Sequence, residues 1–537
     1  MTLRNSMFSL LAGAATSALL TTSAFAENFT LHILHTNDLH SRIEAVNKYD
    51  STCSGEDAAE GKCFGGVARL KTAIEERRNA LKGENVLLLD AGDQFQGSLF
   101  YSTYKGKAAV EFMNAMDYDV MALGNHEFDD GPEGLKDFLD QAEFPVISGN
   151  TEADEASGIK GAFRDHVILE IGGEKIAIVS VLAEDTVETS SPGEHVEIHN
   201  AGSYLLKTVE ELEGQGINKI IALTHVGLLR DISLAGQVRG LDVVVGGHSH
   251  TLLSNTDPKA SGPYPVVVKN EGGYDVPVVQ AYAYSKYLGE IKIVFDEKGQ
   301  VVSATGEPLL LDASIAEDET VRARVAELAQ PLDELKRQVV GKATETIDGS
   351  RENCRSRECA MGNLVTDAML ERVRDQGVSF AIQNGGGLRA SIEDGTVTMG
   401  DVLTVLPFQN TLATFKIKGG DVIRALENGV GQIEEGAGRF PQVAGLRYSV
   451  SLTAEPGQRV SGVEVNENGT WELLDSDKLY GVVTNNYLRS GGDGYAVFAE
   501  EGQEAYDYGP SLEDVVADYL KGRDSYQPYT DGRITVK

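Results

Sequence analysis

The stretch "ALGNHEFD", residues 122–129, directly follows the apolar run Tyr118–Met121 and presents Asn125, His126, Glu127 and Asp129 within five positions. Such side chains coordinate metals or move protons, and they make poor core. In isolation the octet reads equally well as a capped turn, because Gly-Asn punctuates turns and Asp starts helices. Four further segments decide between the two readings. "HTNDLH" supplies Asp38 and His40, "DAGDQ" supplies Asp93, "THVG" supplies His225, and "GGHSH" supplies His248 and His250. Five of the ten histidines in the chain, His40, His126, His225, His248 and His250, fall in the loops that follow strand ends, which argues against accidental placement. His32, His35, His166, His195 and His199 have no comparable setting and read as structural or surface residues. Seven Asp, Asn and His donors, with Asp93 able to offer one oxygen to each of two ions, suit a dimetal site. Mixed imidazole and carboxylate donors favour zinc, manganese, iron or cobalt over magnesium or calcium. Two divalent ions outweigh the carboxylates of Asp38 and Asp93, and neutral Asn125 preserves that positive excess for a phosphate.

Each donor segment ends a strand-like run, and that periodicity defines the scaffold. Strand candidates are Phe29–Leu34, Val86–Leu89, Tyr118–Leu123, Val146–Ser148, Ile176–Val181, Ile220–Leu223 and Leu241–Val245. Amphipathic stretches lie between several of them: Arg69–Leu81, Lys107–Met116, Gly134–Ala142 and Tyr204–Leu212. This alternation predicts an α/β domain with an at least partly parallel sheet, whose strand carboxyl ends line one crevice. Val276–Tyr287 and Leu288–Phe295 are expected to form a closing hairpin or paired strands. Residues 317–341 predict a helical connector bent or broken at Pro331. A second α/β unit follows, with a helix from about Met361, strands near Phe380–Gln383, Leu412–Ile417 and Tyr480–Thr484, and a last helix beginning at Ser511.

Size, compartment and charge bound the rest. Residues 1–26 hold Arg4, the apolar stretch Phe8–Leu20 and Ala24-Phe25-Ala26, the pattern of a secretory signal peptide. The stretch is too short for a membrane span of roughly 20 residues, and the end "TDGRITVK" carries no hydrophobic tail for a glycolipid anchor. A mature chain of about 510 residues suits two domains. Export fits the four cysteines, Cys53 with Cys63 and Cys354 with Cys359, whose spacings suit local disulfides better than zinc knuckles. The formal charge of −35 makes polymeric nucleic acid a poor partner, while a small anion remains compatible with one local cationic site.

The five N-terminal segments in combination resemble the calcineurin-like metallophosphoesterases. In the second half, "CRSRECAMGNLVTDAM", "NGGGLRA", "LPFQNTL" and "NNYLRSGGDGY" look like the 5′-nucleotidase family. The resemblance covers nearly the whole mature chain. The cysteine pairs are similar to those of animal ecto-5′-nucleotidases, whereas the export signal without an anchor looks more like bacterial periplasmic members.

That resemblance implies an N-terminal four-layer αββα sandwich over 27–316, a helical connector over 317–341, and a C-terminal α/β nucleotide-binding domain over 342–537. It implies two divalent transition-metal ions (Zn, Mn or Co). Asp38, His40, Asp93 and His250 would hold one; Asp93, Asn125, His225 and His248 would hold the other. The position of His250 is often Gln or Asn in relatives. His126 would face the phosphate with Asp129 fixing its tautomer, while Glu127 is expected to make a local hydrogen bond or salt bridge. Arg355, Arg389 and Arg351 would take phosphate oxygens. Asn384 and Gly386 belong to a close-approach turn, Phe408 and Tyr487 would sandwich the base, and Asp493 would bind the ribose. Tyr487 stands where the family usually has Phe. The implied activity is hydrolysis of nucleoside 5′-monophosphates, extending in some relatives to nucleotide sugars or dinucleotides. Two alternatives are a 2′,3′-cyclic phosphodiesterase with 3′-nucleotidase action and a non-catalytic periplasmic nucleotide receptor. Oligomeric state is not readable from the residues.

Overall fold

The structure, a computed structural model, describes residues 28–537 apart from 49, 51, 52, 409, 468, 507 and 508. The signal-peptide reading of residues 1–26 lies outside the described residues. Two mixed sheets build the N-terminal half. The first has the spatial order Val301–Gly306, Tyr287–Phe295, Phe29–Thr36, Val86–Asp90, Val120–Ala122, Val146–Ile147. The second runs Val266–Lys269, Asp275–Val279, Val243–Gly246, Ile220–His225, Glu174–Leu182, His166–Ile171. Within each, the central strands are parallel; antiparallel strands close both edges of the second sheet and one edge of the first, whose other edge strand, Val146–Ile147, is parallel.

Side-chain alternation explains why these sheets stack. Leu31, Ile33, Leu87 and Leu89 point inward to meet Ile176, Ile178, Ile221, Leu223, Val243 and Val245 in one core. The intervening residues point outward: Leu34, Leu88 and Met121 receive helices Val67–Ala80 and Gly106–Ala115, and Ala177, Val179, Ala222 and Val244 receive Ala201–Gly214 and Leu228–Gln237. Both faces of the central strands are therefore buried, which is why these strands read as continuous apolar runs rather than alternating ones. The four-layer αββα sandwich is as expected.

Two expectations require correction. Val276–Tyr287 and Leu288–Phe295 do not pair with each other. Asp275–Val279 lies parallel to Val243–Gly246 in the second sheet, whereas Tyr287–Phe295 lies antiparallel to Phe29–Thr36 in the first. The intervening residues cross between sheets, so adjacency in sequence gave no pairing. The connector is helical as expected, but of the two forms expected at Pro331 the break does not occur: helix Glu319–Lys336 runs through it. Pro331 is solvent-exposed there, and the helix is anchored upstream by Arg324 on Glu111 (2.6 Å) and by the Tyr104 hydroxyl on the Leu328 carbonyl (2.8 Å).

The C-terminal half holds a five-stranded sheet ordered Pro441–Ala444, Phe380–Asn384, Leu479–Asn485, Leu412–Lys418, Gln503–Tyr506, and a four-stranded sheet ordered Thr470–Leu473, Val460–Glu467, Leu446–Val450, Ile534–Val536. Helix Ala360–Arg372 starts one residue before the expected Met361, and Ser511 caps Leu512–Lys521 by accepting the Asp514 N–H. Both local disulfides form, Cys53–Cys63 and Cys354–Cys359. Among the described residues no helix is long and apolar enough to cross a membrane.

Candidate dimetal site and substrate cavity

The strand ends converge as their order requires. Asp38, His40 and His250 form one group of mutually close donor atoms, and Asp93, His225 and His248 form another. His40 Nε2 and His250 Nε2 stand 2.9 Å apart, and His250 Nε2 is 3.3 Å from Asp38 Oδ1. On the other side His225 Nε2 is 3.0 Å from Asp93 Oδ2, and Asn125 Oδ1 lies 2.9 Å from His248 Nδ1 and 3.2 Å from His225 Nε2. Asp93 Oδ2 also lies 3.7 Å from His40 Nε2, so this carboxylate reaches both groups. Ring tautomers follow from the outer contacts. His40 Nδ1 donates to the Phe95 carbonyl (3.1 Å) and His225 Nδ1 to the Ala91 carbonyl (2.6 Å). Each Nε2 is thereby left with a bare lone pair aimed inward, as a metal ligand needs. Facing lone pairs and carboxylates crowded this closely repel one another unless cations lie between them, so the donor set fits two divalent ions.

Backbone geometry at these ligands is unusual. Asp38, His40, Asp93, His248 and His250 all have positive φ, between 49° and 74°. Close backbone approach adds to the constraint: a Cβ on Gly124 would sit 2.3 Å from Asp93 Oδ1, and one on Gly92 would sit 2.5 Å from the Gly124 nitrogen. The residue that ties these loops together is Glu127, which sequence reading gave only a local role. It is fully buried, and its carboxylate accepts from the backbone N–H groups of Gly124 (2.7 Å), Asp93 (2.9 Å), Gln94 (2.7 Å) and Phe95 (3.2 Å). Burial, reinforced by Asp93, raises its pKa to about 7. Asp90 is a second such brace, accepting from Thr36 Oγ1 (2.6 Å), the Gly92 N–H (3.0 Å) and Gln94 Nε2 (2.9 Å).

His126 is not among the clustered donors. Its Nδ1 bonds Asp129 Oδ2 at 2.7 Å, and Ser190 Oγ donates to the other Asp129 oxygen at 2.8 Å. Burial, the largest influence, disfavours the charged ring, but Asp129 and Asp93 outweigh it and raise the His126 pKa.

Across the cavity stand the residues of the second half. Arg355 and Arg389 are buried, and Arg351 is partly so. Arg389 Nη2 lies 3.3 Å from His40 Nε2, joining the halves, and its guanidinium sits 5.7 Å from the Phe408 ring centroid. Burial and then the neighbouring guanidiniums lower the pKa of both Arg351 and Arg355. The Phe408 ring centroid is 5.8 Å from that of His126. Asn384 Nδ2 donates to Asp493 Oδ2 (2.7 Å), and the Tyr487 hydroxyl donates to Asp493 Oδ1 (3.1 Å). The extra hydroxyl of Tyr487 is thus satisfied by the expected ribose-binding carboxylate. Gly386 approaches Gly438 so closely that a Cβ would meet its Cα at 2.8 Å. These residues, with Asp93, Asn125, His126, Asp129, His248 and His250, line one cavity of about 820 Å³. Asp38, His40 and His225 lie behind its wall.

A sequence model of calcineurin-like phosphoesterases matches residues 31–252, and with this site it defines a metal-dependent phosphomonoesterase. The 5′-nucleotidase C-terminal domain matches residues 339–500. A human 5′-nucleotidase is 41% identical over 525 residues, covering 94% of this chain and 90% of that protein. The chain belongs to the 5′-nucleotidase family. Among solved structures, the 5′-nucleotidase precursor of Thermus thermophilus superposes with a TM-score of 0.89 at 43% identity, covering 95% of this chain and 99% of that one. The NAD nucleotidase of Haemophilus influenzae gives 0.59 at 29% identity, covering 95% and 99%.

Glu127 yields a test of the brace. Glu127→Ala leaves every metal donor in place but removes four N–H acceptances, so metal affinity should fall about 10- to 100-fold, the usual cost of losing an outer-shell partner. Metal titration of the apoprotein measures this; unchanged affinity would show that the loops hold their geometry without it.

Proposed function

We propose that the protein is an exported enzyme that hydrolyses nucleoside 5′-monophosphates to nucleoside and phosphate. The observation that carries this reading is one cavity with two metal-type donor groups on one wall and guanidiniums, Phe408, Tyr487 and Asp493 on the other. The reading divides the chain into a dimetal domain (27–316), a connector (317–341) and a substrate domain (342–537). Asp38, His40, Asp93 and His250 hold one ion, and Asp93, Asn125, His225 and His248 the other. Zinc, manganese or cobalt suits these donors. The ions supply Lewis acidity for a phosphoryl oxygen and lower the pKa of water at the site.

The protein's own groups do the rest. Arg355 and Arg389, with Arg351, fork onto nonbridging phosphate oxygens. His126, its Nδ1 engaged by Asp129, presents Nε2 to the phosphoester. There it stabilises developing charge or protonates the departing nucleoside oxygen. Phe408 and Tyr487 take the base between them, and Asp493, held by Asn384, takes the ribose hydroxyls. A receptor that merely binds nucleotides has no use for a proton-moving pair, which favours the enzyme reading. Similarity to an NAD nucleotidase supports adding dinucleotides and nucleotide sugars to the substrates tested.

The deciding experiment is a substrate panel of 5′-AMP, 3′-AMP, 2′,3′-cyclic AMP, UDP-glucose and NAD, with metal analysis. 5′-AMP should turn over best, chelation should abolish turnover, and Mn²⁺, Co²⁺ or Zn²⁺ should restore it. Preference for the cyclic or 3′ substrate, or full activity in verified metal-free protein, overturns the reading.

His126→Ala should lower kcat by about 10²- to 10⁴-fold with metal content near wild type. Parallel loss of metal would make His126 a ligand instead.

Phe408→Ala or Tyr487→Ala should lower kcat/KM for 5′-AMP by roughly 1–3 kcal/mol equivalent, the scale of base stacking on an aromatic side chain. Hydrolysis of p-nitrophenyl phosphate, which has no base, should fall far less. Equal losses on both substrates would assign these rings to the fold.

A further inference from the structure

The loop that carries Asp93 also carries Gln96, which no role described so far employs. Gln96 is 1% exposed and lines the same cavity as Asp93, His126 and the three arginines. Neither its Nε2 nor its Oε1 has a hydrogen-bond partner among the described residues. A buried carboxamide with both ends unpaired is unfavourable, and native proteins rarely keep one without a ligand or water to satisfy it.

Its backbone gives the side chain little freedom to seek a partner elsewhere. Gln96 has φ 68°, a left-handed conformation that non-glycine residues avoid. The residues on either side pin it there. The Phe95 carbonyl accepts from His40 Nδ1 (3.1 Å), and the Gly97 carbonyl accepts from Arg42 Nη1. A Cβ on Gly97 would lie 2.5 Å from the His40 carbonyl oxygen, so the strand of chain has no room to shift. Glycine would adopt the Gln96 conformation without strain, yet the chain carries a long polar side chain, and conformational strain of this kind concentrates where a side chain must be aimed.

We propose that Gln96 contacts the phosphoryl group. Nε2–H donates to a nonbridging phosphoryl oxygen, and Oε1 accepts an O–H, from water during turnover or from hydrogen phosphate as product. The carboxamide sits three residues from Asp93, and its flanking carbonyls hold His40 and Arg42, which puts it on the metal side of the cavity. The nucleoside-facing aromatics Phe408 and Tyr487 come from the other half of the chain. A neutral donor and acceptor suits that position, because it grips an anion without placing another cation against the metal-type donors. The inference rests on phosphoester hydrolysis in this cavity, as proposed above, and not on the identity of the nucleoside.

The test uses metal-loaded full-length protein with Gln96→Leu and Gln96→Glu. Inhibition by inorganic phosphate is measured with p-nitrophenyl phosphate as reporter, and kcat/KM is measured on both p-nitrophenyl phosphate and 5′-AMP. In Gln96→Leu the phosphate inhibition constant should rise, and kcat/KM should fall on both substrates, by about 10- to 100-fold, the scale of a hydrogen bond to a charged group. Gln96→Glu should lose more, because it sets a negative charge against the anion. Metal content and Tm should stay near wild type in both. Unchanged phosphate inhibition overturns the proposal. So does a loss confined to 5′-AMP, which would make Gln96 a nucleoside contact, and so does metal loss in both variants, which would make it a brace for the ligand loops. Wild-type protein that cleaves p-nitrophenyl phosphate but not 5′-AMP would defeat the nucleotide reading alone, and phosphate inhibition would still report on Gln96.

Discussion

Left-handed backbone at the metal donors is the constraint around which the structure is built. Five of the seven candidate ligands, Asp38, His40, Asp93, His248 and His250, adopt a conformation that costs an L residue roughly 1–3 kcal/mol. Such a set persists only where the surroundings over-determine it. Parallel strands of both sheets deliver the loops at their carboxyl ends, Gly92 and Gly124 let two of them touch, and buried carboxylates fix the backbone beneath. Glu127 shows the logic most clearly, since one side chain satisfies four N–H groups from two loops. Those amides would otherwise be buried without partners, so the loops and the carboxylate stabilise each other. Strain at the ligands and the αββα sandwich are therefore one fact seen at two scales.

Electrostatics divides the cavity between the halves. The chain as a whole carries −35, yet its cavity gathers Arg351, Arg355 and Arg389 opposite the histidine and carboxylate cluster. Among the described residues, none of the three guanidiniums forms an ion pair with a carboxylate. Arg389 bonds the Gly386 carbonyl (3.3 Å) and Arg355 the Gly436 carbonyl (3.5 Å). Carbonyls hold these groups in direction without neutralising them, which keeps their charge for an anion. Overall acidity and local cationic focus are compatible because Debye screening confines each field to roughly 8–10 Å.

Much of this was legible in the residues, and for a reason. A strand buried on both faces reads as an apolar run, and a donor motif at the end of each run marks the carboxyl edge where parallel strands converge. That is why Asp38, His40, Asp93, Asn125, His225, His248 and His250 could be grouped before any fold was known. The missed features depend on geometry that periodicity does not carry. Val276–Tyr287 and Leu288–Phe295 look like partners because they adjoin, but only three-dimensional packing assigns Asp275–Val279 and Tyr287–Phe295 to different sheets. Pro331 is a poor residue inside a helix by propensity, and anchoring of Glu319–Lys336 by Arg324 and Tyr104 overrides it. Glu127 and Gln96 lie within the quoted motifs, yet the bonds one makes and the other lacks are set by loops distant in sequence.

The covalent staples show how the two walls differ in the way they fix a long side chain. A histidine or aspartate ligand has few rotors, so backbone conformation alone can aim it. An arginine has four, and ordering it costs on the order of 2 kcal/mol of side-chain entropy. The segment bearing Arg355 is closed by Cys354–Cys359 and clasped by Gln442, whose Nε2 donates to the Cys354 (2.9 Å) and Arg357 (2.7 Å) carbonyls while its Oε1 accepts from the Cys359 N–H (3.2 Å). Arg389 lies at the end of the tight Gly385–Gly387 turn, with its own N–H donating to the Val405 carbonyl (2.9 Å). Both devices remove backbone freedom ahead of the flexible side chain, so less entropy remains to be lost when an anion arrives. Rigid ligands on one wall and pre-ordered forks on the other leave the phosphoester as the group whose charge matches both. Two direct polar links join the halves here, Asn47 to Glu393 at 2.9 Å and Arg389 to His40 at 3.3 Å. Under the proposed reading, a phosphate would lie between the cations held by one wall and the guanidiniums of the other, an anion drawn to both halves.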